Sequence, residues 1–356
     1  MRKVIVSHDV ELHYVERGTG VPVIFVHGSL SDGSYWNNQV DAFAKAGYHA
    51  IAYSRRYSPP NNNKARPGYS AVVDAEDLAA FIIKLHLDRV HVVGHSYGAL
   101  AALFLASRHP ELVRTLVLAE DPDVSLLEHL EGEQTATGKA MFTDIEQRMV
   151  KPMKAAFQKG DRESGLRIFI NYVLDDPNAW QKMPQDAHKD MLAHAHEWDV
   201  MMTSGELFPK IEPQAIRAIT APTLLLSGEK SYPFLGLIDQ ELTRLLPHAR
   251  RIILRGATHR MWFEQPDTCR NAVLEFLRES VSAFSKKRHT SLRRRPGSPT
   301  RASRDGVEAC AQLLPVAPLL GCWDAMQRSA NKKIRFYPKD TSARLLMLTA
   351  SDGIIS

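Results

Sequence analysis

Residues 94–98 read Gly-His-Ser-Tyr-Gly, a Gly-x-Ser-x-Gly turn that can present a serine hydroxyl as a nucleophile. Such a serine lies in a strained turn between a strand and a helix, so the residues two before and two after it must be small. Glycine occupies both of these positions. The run VHVV at 90–93 predicts the strand, and ALAALFLAS at 99–107 predicts the helix. The pattern therefore predicts Ser96 as a nucleophile.

A serine hydroxyl needs a base within hydrogen-bond reach, and that base needs a carboxylate to orient it. His259 is the best placed histidine, because LRGATHR at 254–260 lies between the last predicted sheet strand and the final helix. His95 is next to the serine along the chain, and its side chain is expected to point away from the base position. We therefore interpret His95 as a packing residue.

The carboxylate has two candidate positions in the predicted sheet. One follows the strand at 222–226, but SGEKSYP at 227–233 places Ser231 where an aspartate would be expected, and a serine cannot hold an imidazolium by charge. The other ends the strand at 113–119, where Glu120 lies 24 residues after Ser96. One helix and one strand separate the two residues, so both side chains should emerge at the same sheet edge. We predict Glu120 as the acid, and the alternatives are Glu229, Asp121, Asp123 and Asp239.

A developing oxyanion needs two preorganised N–H donors. The backbone of Tyr97, directly after the nucleophile, supplies one candidate. The second is expected from the backbone of Ser29, in the loop at 27–30 that follows the first parallel strand and is called the oxyanion loop below. Gly28 lets this backbone turn inward, and His27 is expected to brace the loop through hydrogen bonds.

The elements that would position these residues alternate between strand and helix, after a hairpin from 4–6 and 12–16. This predicts an α/β fold, with a mostly parallel twisted sheet and helices on both faces. The predicted strands are 22–26, 48–53, 90–93, 113–119, 222–226 and 251–254, and the predicted helices are 34–46, 72–87, 99–107, 235–246 and 267–284.

The alternation stops after Glu120 for about a hundred residues. Residues 121–219, called the cap segment below, have a helical pattern broken by prolines, with one strand-like run at 168–174. Because this segment is inserted where the strands finish, we expect a helical cap above the nucleophile. The predicted organisation is a core from 1–120 and 220–284, the cap segment, and an extension from 285–356.

Charge is distributed unevenly along the 356 residues. The extension carries 14 Lys/Arg and 5 Asp/Glu, whereas residues 1–284 have a net charge of −4. Its Ser- and Pro-rich start, KKRHTSLRRRPGSPTRASR, predicts disorder. No aromatic residues interleave with the basic ones, so we expect no nucleic-acid partner.

No signal peptide and no apolar run of about 18 residues is evident, so we expect no membrane partner. Three cysteines give no disulfide framework, and a reducing cytoplasm is the expected location. No His-Glu-x-x-His spacing occurs around His188, His194 and His196, so neither a metal nor a cofactor is expected.

Two further groups have open roles. Arg55, Arg56 and Tyr57 could either meet an anionic substrate or lie in solvated surface. Aromatic and methionine residues of the cap segment could either line an apolar pocket or pack within the cap, namely Trp180, Trp198, Met201, Met202 and Phe208.

The order of His27-Gly28, the serine turn, the helical insertion and the terminal His259 resembles the α/β-hydrolase family, in its cap-bearing branch, over about residues 2–284. The position of Glu120 is similar to that of the acid in some haloalkane dehalogenases. Those enzymes, like the epoxide hydrolases of the family, use an aspartate nucleophile, and Ser96 rules that chemistry out. The resemblance implies attack on an acyl carbon, through an acyl-enzyme that water resolves.

We therefore expect a serine hydrolase acting on a carboxylic ester, lactone or thioester, a small-molecule substrate with an apolar acyl part. Ser96 would attack, His259 would act as base and then acid, and Glu120 would orient the imidazole and stabilise its charged form. The alternatives are a C–C bond hydrolase or lyase on the same triad, or a non-catalytic small-ligand-binding protein. No oligomeric state is predicted.

Overall fold

The computed structural model describes the backbone of residues 1–292 and the side chains of residues 1–280 other than that of Ser204. Within this range, one sheet has the strand order β1-β2-β4-β3-β5-β6-β7-β8. Its strands are β1 (Arg2–Ser7), β2 (Val10–Arg17), β3 (Pro22–Val26), β4 (His49–Tyr53), β5 (Val90–His95), β6 (Val113–Ala119), β7 (Thr223–Gly228) and β8 (Ala249–Leu254). Strands β1 and β2 form an antiparallel hairpin, β2 pairs antiparallel with β4, and β3 to β8 are parallel to one another. The predicted α/β fold class is confirmed.

Two apolar layers cover the sheet because successive residues of each buried strand face opposite sides. Ile24, Val92 and Leu116 contribute to one layer. Helices α2 (Ala71–Lys84), α3 (Tyr97–Arg108) and α11 (Pro233–Leu245) pack there. Phe25 and Val93 contribute to the opposite layer, against α1 (Asn37–Lys45) and α13 (Pro266–Leu292).

The register of the central strands brings their carboxyl ends to one edge. Val26 of β3 pairs with Gly94 of β5, and Ala119 of β6 pairs with both His95 of β5 and Leu226 of β7. The loops that begin at residues 27, 96, 120 and 229 therefore start at this edge.

The chain between β6 and β7 is helical. Its α-helices are α4 (Thr135–Ile145), α5 (Lys151–Gln158), α6 (Arg162–Val173), α7 (Ala179–Lys182), α8 (Gln185–Ala193), α9 (His196–Ser204) and α10 (Pro213–Arg217). Short 3₁₀ segments at Gly33–Trp36, Val124–His129 and Gly132–Gln134, a π-helical segment at Glu146–Val150, and α12 (Met261–Glu264) complete the described elements. The division of the chain into core and cap segment stays a prediction.

Two predicted elements differ from the structure in type or by more than three residues. Residues 168–173 of the strand-like run belong to α6, which buries Leu166, Ile170 and Val173 at helical spacing after Asp161 caps its first turn. Helix α13 continues to Leu292 rather than ending at 284, because no proline or glycine interrupts this part of the chain. The rest of the predicted extension, residues 293–356, lies outside the described residues.

Among the helices within residues 1–292, none combines the length and the apolar character that crossing a lipid bilayer requires.

Candidate active site

Ser96 lies between β5 and α3 with φ 54° and ψ −129°, a left-handed conformation that is strained for a residue with a side chain. Its backbone N–H donates to the carbonyl of Ala119 at 2.9 Å. A Cβ on Gly94 would lie 2.5 Å from the carbonyl oxygen of Gly98, and a Cβ on Gly98 would lie 2.4 Å from that of His27. Strand, helix and neighbouring loop thus pass too closely for any side chain at either glycine.

Glu120 follows β6 directly and is 1% exposed. Its Oε2 lies 2.5 Å from Nδ1 of His259 and accepts from the Ser231 hydroxyl at 2.8 Å, while its Oε1 accepts from the Gly228 N–H at 2.7 Å. A carboxylate only accepts, so Nδ1 of His259 carries the proton in this contact. The Nε2 of a neutral His259 is then an acceptor, which is the tautomer a general base requires.

Glu229, the alternative acid, directly follows β7, the strand after the cap segment. Its Oε2 accepts from the Gly256 N–H at 2.6 Å. Ser231 donates to Glu120 rather than taking the place of the acid. Of these candidates, the structure therefore brings Glu120 to His259.

The three aspartate alternatives are buried and engaged elsewhere. Asp121 accepts from the Asp123 N–H at 2.9 Å, Asp123 caps the following turn through Ser125, and Asp239 accepts from the Ser227 hydroxyl at 2.5 Å. Burial raises the pKa of Asp121, raises that of Asp123 to about 7 and raises that of Asp239 to about 8.

His95 contacts the loop of the expected base, contrary to the prediction that it points away. Its Nε2 lies 2.9 Å from the carbonyl oxygen of His259, and the two rings are 4.8 Å apart. The Tyr35 hydroxyl lies 3.2 Å from the other ring nitrogen. Burial lowers the pKa of His95 well below its ordinary value, so the neutral ring donates to the carbonyl and accepts from Tyr35. The sequence analysis did not predict that Tyr35 and His95 support the loop of His259, because no sequence motif marks Tyr35.

The oxyanion loop runs beside the nucleophile. A Cβ on Gly28 would lie 3.0 Å from the Cβ of Ser96 and 3.6 Å from its Oγ. His27 braces the loop: its Nε2 accepts from the Arg55 N–H at 3.0 Å, which leaves Nδ1–H to donate to the carbonyl of Gly28 at 2.8 Å. Burial and the nearby Arg55 lower the pKa of His27 to about 3, so the His27 ring that makes these hydrogen bonds is neutral. The backbone donors of Ser29 and Tyr97 stay predictions.

Arg55 belongs to the interior, so its assignment to a solvated or substrate-facing rim is wrong. The side chain is fully buried and pairs with Asp74 of α2 at 2.6 Å and with Glu197 of α9 at 2.5 Å. Burial raises the pKa of Glu197, and the charge of Arg55 opposes that rise. Sequence reasoning missed both carboxylates, since neither lies near Arg55 along the chain.

The other two residues of that group are also not free for a substrate. Arg56 forms a two-pronged pair with Asp77, at 2.6 Å and 2.5 Å, and Tyr57 is buried against Tyr69. The positive charges of Arg55 and Arg56, which could have met an anionic substrate, are therefore already paired with carboxylates of the protein.

Two aromatic residues of the cap segment, Trp180 and Trp198, pack against side chains of the same segment. Trp180 stacks on His188 with ring centroids 4.0 Å apart, and Trp198 meets Phe169 edge-on at 4.7 Å. His194 instead reaches out of the segment to Asp32 at 3.1 Å. Among the described residues, no group of three His, Cys, Asp or Glu side chains is arranged to hold a metal ion.

Comparisons with known proteins agree with this architecture. The chain is 25% identical over 277 residues to the 2-hydroxy-6-oxononadienedioate/2-hydroxy-6-oxononatrienedioate hydrolase of Burkholderia vietnamiensis, over 76% of this chain and 92% of that protein. It is 22% identical over 310 residues to bifunctional epoxide hydrolase 2 of Sus scrofa, over 77% of this chain and 54% of that protein, about half its length.

Among solved structures, the enol-lactonase from Burkholderia xenovorans superposes with a TM-score of 0.58 at 18% identity, over 78% of this chain and 99% of that one. This likeness concerns the fold. The sequence model of the alpha/beta hydrolase family matches residues 23–272, more than half of the chain. The chain therefore belongs to the alpha/beta hydrolase family and is a hydrolase.

Proposed function

We propose that this hydrolase cleaves a carboxylic ester, lactone or thioester through an acyl-enzyme on Ser96. The observation that carries the proposal is the 2.5 Å contact between Nδ1 of His259 and the buried carboxylate of Glu120, which directly follows β6, the neighbour of the strand that precedes Ser96. Because this contact places the proton on Nδ1, the Nε2 of His259 is left as the proton acceptor that acyl transfer by a serine requires.

The reaction follows in two steps. Ser96 Oγ attacks the acyl carbon while His259 takes its proton, and the backbone N–H groups of Ser29 and Tyr97 would hold the oxyanion. When the intermediate collapses, His259 protonates the departing alcohol or thiol. Water then attacks the acyl-enzyme with His259 again as base, which releases the acid and restores the Ser96 hydroxyl.

The charges around the oxyanion loop favour a substrate whose reacting end is neutral, and the apolar acyl part stays a prediction from the sequence. Arg55, buried against this loop, is already paired with Asp74 and Glu197. A substrate carboxylate placed there would compete with two protein carboxylates for one guanidinium, and would have to be desolvated without a new partner.

A second candidate is hydrolysis of a C–C bond on the same three residues. It is favoured by the relative from Burkholderia vietnamiensis, whose name specifies a hydrolase of a dienedioate. Its substrate carries two carboxylates, so this candidate needs cationic groups that Arg55, as paired here, does not supply.

Labelling by a fluorophosphonate tests the proposal. The wild type should take up one label, Ser96→Ala should take up none, and Ser107→Ala, on the far end of α3, should react like the wild type. A panel of p-nitrophenyl esters of increasing acyl length and 2-hydroxy-6-oxononadienedioate should then be compared as substrates. Turnover of the esters supports the proposal. Cleavage of the dienedioate without ester turnover selects the C–C hydrolase, and absence of label and of ester turnover contradicts the proposal.

A further inference from the structure

Arg55 lies where the oxyanion loop, the nucleophile's helix and the cap segment meet. Its Nε donates to the carbonyl of His27 at 3.0 Å, and its Nη2 donates to the carbonyl of Gly28 at 3.1 Å. The guanidinium lies 5.0 Å from the ring centre of Tyr97, directly after the nucleophile. Both segments expected to supply oxyanion donors therefore contact this one side chain.

The contact with Gly28 bears on the direction of a backbone donor. In a planar trans peptide the N–H points opposite to the C=O of the same unit. The carbonyl of Gly28 shares its peptide unit with the N–H of Ser29, and it accepts from both Arg55 and His27. Two donors on one carbonyl fix the plane of that unit. They thereby fix the direction of the Ser29 N–H, in a loop so close to the nucleophile that a Cβ on Gly28 would lie 3.0 Å from the Cβ of Ser96.

The same nitrogen of Arg55 also reaches the cap segment. Nη2 donates to Oε2 of Glu197, on α9, at 2.5 Å, and Ser58 donates to that oxygen at 3.3 Å. Neither Arg55 nor Glu197 is exposed, so water does not screen their attraction. A displacement of α9 would withdraw Glu197 from Nη2 and shift the donor that holds the carbonyl of Gly28.

We propose that Arg55 is a positioning residue for the oxyanion hole, and that Glu197 makes this positioning depend on how the cap segment is seated. The inference rests on the proposed acyl transfer at Ser96. Arg55 touches neither the substrate nor the reacting atoms in this scheme. Its effect should therefore fall on the transition state and on kcat, and only weakly on KM.

Two variants test the inference. Arg55→Lys keeps the positive charge but cannot hold both carbonyls in a fork, and Glu197→Gln removes the charge on the cap side with little change of shape. Arg56→Lys is the matched control, because Arg56 pairs with Asp77 in the same two-pronged manner and follows Arg55 in the chain. Each variant is first compared with the wild type by circular dichroism and thermal melting.

The readout is kcat and KM for a p-nitrophenyl ester, with the oxo-ester to thiono-ester rate ratio as a probe of the oxyanion hole. Loss of one oxyanion donor costs about 10²–10³-fold in kcat, so a misdirected donor should cost about 10–10²-fold in both variants with KM within about threefold. The rate ratio should fall in both, because sulfur accepts hydrogen bonds weakly and gains less from an ordered hole. Arg56→Lys should keep the wild-type ratio.

The outcomes separate this inference from the proposed function. If the wild type neither takes up the fluorophosphonate label nor turns over esters, both the proposed function and the inference about Arg55 are contradicted. If the wild type is active and folded Glu197→Gln keeps its kcat and rate ratio, the dependence on the cap segment is overturned even where Arg55→Lys does not fold. If Arg55→Lys folds and behaves like Arg56→Lys, the role of Arg55 is overturned.

Discussion

Replacing Glu120 by glutamine should trap His259 in the wrong tautomer. Oε1 of Glu120 accepts from the backbone N–H of Gly228 at 2.7 Å. In the variant only the amide oxygen can accept this bond, so the NH₂ group must take the position of Oε2, 2.5 Å from Nδ1 of His259. An NH₂ group donates, and it therefore favours the tautomer that carries its proton on Nε2. That tautomer cannot accept a proton from Ser96.

The size of the effect follows from this loss of the reactive tautomer and of the charge that stabilises the imidazolium. In serine triads, an acid-to-amide change that leaves the geometry intact lowers kcat by about 10⁴-fold. At about 1.4 kcal/mol per factor of ten, this corresponds to about 5 kcal/mol of transition-state stabilisation. Because Glu120 is buried, water does not replace the missing charge, and the full effect is expected here.

Steady-state hydrolysis of a p-nitrophenyl ester measures the effect, with Glu229→Gln as the control. Glu229 bonds to the Gly256 N–H, so its variant should stay within about threefold of the wild type. A folded Glu120→Gln that retains more than a tenth of the wild-type kcat would refute the reasoning. A larger loss in Glu229→Gln would move the acid to the later strand.

Ser231→Asp, made in the background of Glu120→Ala, should recover at least about tenfold of the lost kcat, because Ser231 Oγ lies 2.8 Å from the carboxylate oxygen that meets His259. No recovery in a folded double variant would show that position 231 cannot orient the histidine. His194→Gln should lower the free energy of unfolding by about 1–2 kcal/mol at pH 5.5, measured with urea, and by almost nothing at pH 10. Burial acts to lower the pKa of His194, but its bonds to Asp32 and to the Asp190 carbonyl raise it to about 9. This stability is therefore fully present below about pH 6.5 and is lost as pH rises through 9. An equal difference at both pH values would contradict it.

The position of Glu120 could be predicted because it depends on local patterns. Mostly apolar runs of five to seven residues, separated by amphipathic helices, indicate parallel strands whose carboxyl ends share one edge. A polar residue that directly follows such a run lies at that edge whatever the rest of the chain does. The same argument predicts the loops at Gly28 and Ser96.

Arg55 could not be placed in this way, because its burial depends on residues far along the chain. Glu197 lies 142 positions away, and consecutive arginines after a strand are typical of solvated surface. The run at 168–174 was ambiguous for another reason: short apolar stretches fit both a strand and a helix. Its assignment to α6 depends on where Leu166 and Ile170 find apolar neighbours, which periodicity does not specify.

Leu30, Ser96 and Glu120 have φ values of 53–54° although none is glycine. A left-handed backbone costs a residue with a side chain about 1 kcal/mol or more, and glycine would avoid this cost. For the backbone alone, glycine would therefore be the more stable residue at these positions. At Leu30 and Glu120 the side chain offsets this cost, because Leu30 packs against the core and the Glu120 carboxylate accepts from the Gly228 N–H and contacts His259. At Ser96 the strain is a cost that the proposed nucleophile requires. Under the proposed function, replacement of Ser96 by glycine would be an early mark of a lineage that keeps the fold but no longer uses the enzyme.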